Sequence, residues 1–120
     1  MDQIAKGENV AIDPQGPPPQ IQIKIGGSAI AFYSIYLIHG QQHLLVCKGS
    51  SNEPVKNCPI GDDASTLPGQ KVSWQVGTAA ENDPFPIDVT LSQGGATLKS
   101  YTYNGQGDDL LVDYVTLVSS

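Results

Sequence analysis

The chain has 120 residues, a net charge of -6, 15% charged residues, thirteen glycines and nine prolines. That length suits one domain burying roughly two-thirds of its unfolded surface, and a chain poor in charge but rich in turn formers suits many short strands and not a helical bundle. All six basic residues are lysines, so the guanidinium fork that reads phosphates and bases is missing, and the acidity opposes binding to nucleic acid or to anionic lipid.

In chain order, residues 1–19 read as a partly flexible arm. Its opening lacks a basic segment followed by an apolar one, which suits a soluble protein that is cytoplasmic, exported without such a signal, or mature with an added methionine. The alternation Val10-Ala11-Ile12 marks 9–13 as a candidate edge strand. Pro17-Pro18-Pro19 then favour an extended polyproline path and offer no backbone donors, so they bound the arm. A single sandwich domain is expected over 20–120.

Ile21, Ile23 and Ile25 alternate with Gln20, Gln22 and Lys24, the pattern of a half-buried strand. The stretch 28–48 reads as a hairpin around a short glycine-containing turn. Its first strand is apolar on both sides, Ala31, Tyr33, Ile35 and Leu37 against Ile30, Phe32, Tyr36 and Ile38, and is expected to be covered on both. At ten residues this run, 29–38, is about half a membrane span, so no membrane insertion is expected.

Periodicity vanishes over 49–70. A connection this long is the first place to look for a site, and its end carries one expected helical turn with an aspartate as N-cap. Cys47 lies just before it and Cys58 within it. A disulfide between them would stabilise the fold by roughly 2 to 3 kcal/mol; the alternative is a buried thiol at Cys47 and an inert one at Cys58. The pair is expected to be too close in sequence to bridge two sheets.

Val72, Trp74 and Val76 mark the next strand, 78–86 reads as an acidic loop, and Ile87, Val89 and Leu91 alternate up to Gly94-Gly95, a two-residue hairpin turn. In the partner segment 97–104, Lys99, Tyr101 and Tyr103 share one side. The last strand, 110–118, is apolar on both faces apart from Asp113. The sum is an all-β, antiparallel sandwich of seven or eight strands, immunoglobulin-like or jelly-roll-like, with at most one short helical turn.

Two constellations point to chemistry. Asp62, Asp63, Asp83, Asp108 and Asp109 fall in loops that would hold calcium if they gathered at one end of the sandwich, although aspartates are also ordinary turn residues. Tyr101 and Tyr103 with Lys99 would form a flat stacking surface for a sugar or a protein if exposed, and a sheet-face cover if not. His39 and His43 flank the hairpin turn and would need further ligands, Cys47 among them, to hold zinc or copper. No nucleophile elbow, C-x-x-C motif or phosphate loop occurs, so no catalytic residue is assigned and no enzymatic activity is expected. The expected function is contact with a protein partner or with further copies of the chain; the alternative is a small carbohydrate-binding module, calcium-assisted or not.

Overall fold

The computed structural model describes residues 5–26, 30–79, 81–107 and 110–120, with backbone alone at 78–79, 81–84 and 105–107. The described chain forms nine strands: β1 (Glu8–Ile12), β2 (Gln20–Ile25), β3 (Ile30–His39), β4 (Gln42–Ser50), β5 (Cys58–Pro59), β6 (Lys71–Ala79), β7 (Glu81–Gln93), β8 (Ala96–Gly107) and β9 (Leu110–Ser119). One 3-10 turn, η1 (Ala64–Thr66), is capped by Asp63 as expected, its carboxylate accepting from Ser65 N at 3.0 Å.

The strands make a two-sheet β-sandwich, with a five-stranded sheet ordered β1-β9-β6-β3-β4 and a four-stranded sheet ordered β5-β2-β7-β8. Every pair is antiparallel except β1 and β9, which run parallel from Glu8↔Val115 to Ile12↔Ser119. Period-two alternation places the inward residues where the sequence puts them: Ile21 and Ile23, then Val72, Trp74 and Val76, then Ile87, Val89 and Leu91 are all buried. Trp74 packs against Tyr101 across the gap, ring centroids 5.9 Å apart. Gly94 and Gly95 both take positive φ, +60° and +84°, the primed turn that matches strand twist.

Three expectations change. The segment 78–86 is not a loop, because β6 runs on to Ala79 and β7 starts at Glu81, with a register irregularity between Glu81 and Phe85. The first strand of the central hairpin is covered on one face only: Tyr33, Ile35 and Leu37 are buried, whereas Phe32 is 61% exposed. Finally, Cys47 and Cys58 are bonded, Cα atoms 6.1 Å apart, and the bond does join the two sheets, since Cys47 lies in β4 and Cys58 in β5. Ten intervening residues suffice because β4 and β5 are neighbouring edges, so the chain crosses from one sheet to the other along the shortest side.

That side of the sandwich is closed by 51–57 and the disulfide. On β4, Gly49 faces Tyr33 so closely that a Cβ would run into the ring, so this position takes no side chain. The opposite side is closed by an ion pair between the two other edges, Lys99 Nζ of β8 to Glu8 Oε1 of β1 at 2.8 Å.

Candidate functional site

The aspartates of this set that the structure describes do not gather. Asp62 and Asp63 precede Lys71, at the end of β6 that pairs with Ile38, and Asp63 is spent on capping η1, its pKa lowered by the Ser65 hydroxyl and backbone N–H. Asp83 lies in β7 near the Glu81↔Gly107 pair, beyond the other end of β6, and its side chain is not among those described. Nine residues of strand separate those ends, about 25 Å. Asp108 and Asp109 lie outside the described residues. Among the described residues no group of three His, Cys, Asp or Glu side chains is placed to hold a metal ion. His39 pairs with Gln42 and His43 with Ile38, so the two histidines point to opposite faces of the hairpin.

Tyr101 and Tyr103 offer no open stacking surface, since both are buried in the core. The reason is the register of β8: Lys99, Tyr101 and Tyr103 pair with Leu91, Val89 and Ile87, whose side chains point inward, while Leu98 is the extra residue of a bulge. Only Lys99, at the mouth of the sandwich, reaches water, and it is engaged by Glu8.

Burial and then the neighbouring Glu8 charge push the Tyr101 phenol up from 10.0 to about 12. Below pH 10 folded and unfolded chains both keep this proton. Between about 10 and about 12 only the folded chain keeps it, so the stability this group contributes falls as pH rises through that window. Tyr101→Phe should therefore flatten the loss of stability between about pH 9 and about pH 12, read as the urea midpoint against pH; parallel curves for the two proteins would sink the assignment.

The side chain that organises the buried polar chemistry is Asp113, 4% exposed in β9. Its Oδ2 accepts from Ala5 N and Tyr103 Oη, both at 2.7 Å, and its Oδ1 from Lys6 N at 2.7 Å and Tyr114 N at 2.8 Å. Residues 5–8 curl around it in a tight turn closed by Glu8 N to Ala5 O, with Lys6 held at φ +44°. A lysine in that region is uncommon, and here successive backbone N–H groups form a nest for the carboxylate. Burial, then the Asp113 hydrogen bond, raise the Tyr103 pKa. The sequence carries the signal for this anchor, a lone carboxylate in a strand otherwise apolar on both faces, but not its partners.

An open apolar surface lies on the outer face of the five-stranded sheet. Registry lines up Phe32, Gly77 and Leu110 across β3, β6 and β9, with Ile30 and Val112 beside them. Ile30, Phe32, Leu110 and Val112 are each at least half exposed. Lys71 lies over the Tyr114 ring at 5.5 Å toward one end of the same face. Among the described residues, the outward positions of the five strands include Lys71 and Lys48 but no aspartate or glutamate. A shallower groove of about 390 Å³ between Leu44, Val46 and Pro59 flanks the disulfide.

Compared with protein-family models, curated proteins and solved structures, the chain gives no match.

Proposed function

We propose that this chain is a non-catalytic self-associating module, two copies packing through the outer faces of their five-stranded sheets. The observation that carries this reading is the exposed row Ile30, Phe32, Leu110 and Val112 on a sheet that nothing covers among the described residues. Apolar patches of this kind on a small domain mark contact surfaces. Five strands about 4.8 Å apart and about 30 Å long offer roughly 700 Å², close to the roughly 800 Å² that each partner buries in a standard interface.

Charge supports the same choice of face and of partner. A chain of net charge -6 repels its own copies, and this face sets no carboxylates against each other, with Lys71 near one end and Lys48 on the edge strand β4. The non-catalytic part of the reading rests on Asp113. It is the one buried carboxylate among the described residues, and four donors occupy it, leaving no oxygen to take a substrate proton. The carbohydrate reading loses its support with the burial of Tyr101 and Tyr103.

Sedimentation velocity over a concentration series tests the proposal. The wild-type chain should run as a dimer, and Phe32→Lys with Val112→Lys as a monomer whose unfolding free energy, compared at concentrations where both chains are monomeric, changes by no more than about 0.5 kcal/mol per exposed substitution. A wild-type chain that stays monomeric throughout overturns it.

A further inference from the structure

We infer that β1 is an exchangeable strand: the channel along β9 accepts the β1 of a second copy, so that each chain completes the other's five-stranded sheet. This stands apart from the face-to-face contact proposed above and uses different residues.

The channel is built to hold an extended backbone. At one end the buried Asp113 carboxylate takes the N–H groups of Ala5 and Lys6. Along its length β9 pairs with five residues in parallel register, Val10 and Ile12 are buried in the core, and Lys99 takes Glu8 at the mouth. At the far end Gln93 grips Asp13, its Oε1 accepting from Asp13 N at 2.8 Å and its Nε2 donating to Asp13 O at 2.7 Å. Every one of these contacts joins residues 5–13 to the rest of the domain, so the same residues of a second copy would make them identically.

The tether is suited to opening. Residues 13–19 fold back through one turn, held by Gly16 N to Asp13 O at 3.1 Å and by Gln15 N to Asp13 Oδ1 at 2.9 Å. The Gln15 bond is exposed, and water replaces such bonds at little cost. Beyond the turn Pro17, Pro18 and Pro19 favour an extended course of about 3 Å per residue and would carry the released strand away from its own domain. Of the Gln93 contacts only the one to Pro17 O, 2.8 Å, belongs to the tether side. An empty channel, by contrast, strips the buried Asp113 of the Ala5 and Lys6 donors, so β1 leaves only in exchange for another β1.

The test uses the full chain with Glu8→Cys and Lys99→Cys, which meet at the mouth of the sandwich away from the outer sheet face, and a short bis-maleimide. In the closed monomer, and in a purely face-to-face dimer, the linker joins positions of one chain and denaturing gels show single mass. In the exchanged dimer it joins two chains and the band doubles in mass. We expect double mass after refolding at high concentration, more of it when residues 14–16 are deleted, and its loss when a Gly-Ser stretch is inserted after Gly16, because a longer tether folds back freely. Single mass throughout in the refolded full-length chain overturns the inference, whether or not the deletion variant folds.

Discussion

Replacing Asp113 with alanine should cost the fold about 3 kcal/mol, because the donors it leaves behind are ones that water reaches poorly. The Ala5 N and Tyr103 Oη bonds are buried, whereas those from Lys6 N and Tyr114 N are partly accessible. For a domain of this size that corresponds to a fall in Tm of about 10 °C. Trp74, the sole tryptophan and fully buried one strand away, reports the transition by its fluorescence. Tyr103→Phe removes one donor and leaves the three backbone bonds, so it should cost about 1 kcal/mol. In the double variant the losses should be less than additive, since both remove the same bond. Full additivity would show that the carboxylate and the phenol act independently.

Replacing Cys47 and Cys58 together with serine should also cost about 3 kcal/mol, the loop-closure entropy restored to an unfolded chain no longer linked across eleven positions. That figure depends on the length of the loop, but where the loss is felt depends on the fold. The bond ties β4 to β5, and Ile60 N, bonded to Pro19 O at 2.8 Å, lies just beyond it. Hydrogen exchange at Ile60 should therefore speed up through local opening, while the amides of Val72, Trp74 and Val76, central in the other sheet, exchange by global unfolding and speed up by no more than the whole-domain loss. Reductant should lower the urea midpoint of the wild type and leave that of the serine variant unchanged. A wild-type midpoint indifferent to reductant would show that the bond contributes nothing.

The strands were readable where one face is buried and the other wet. Ile21-Ile23-Ile25, Val72-Trp74-Val76 and Ile87-Val89-Leu91 alternate because each strand has one inner side, and alternation records only that. It does not record which strands are edges. The bridge from Cys47 to Cys58 across the sheets was hidden for this reason: sequence distance looks prohibitive until β4 and β5 are known to be facing edges. The same gap concealed the open outer face, for a strand apolar on both sides reads alike whether its second face meets protein or water. For Tyr101 and Tyr103 the deciding fact was the bulge at Leu98, a one-residue event that no periodicity shows. Asp113 stood out as the exception in an apolar strand, yet its partners lie at residues 5 and 6, more than a hundred positions away.

The parallel pairing of β1 with β9 also has a mechanical side. Residue 5 meets Asp113, level with Trp74 in the middle of the five-stranded sheet, while Ser120, whose N–H donates to Ile12 O at 2.9 Å, lies at one end of it. Tension applied between these two points pulls the neighbouring strands past each other along their length. The ladder bonds from Glu8 to Ile12, the Asp113 nest and the Lys99–Glu8 pair are then loaded together in shear and do not open one after another, as the bonds of a hairpin do when its two ends are drawn apart.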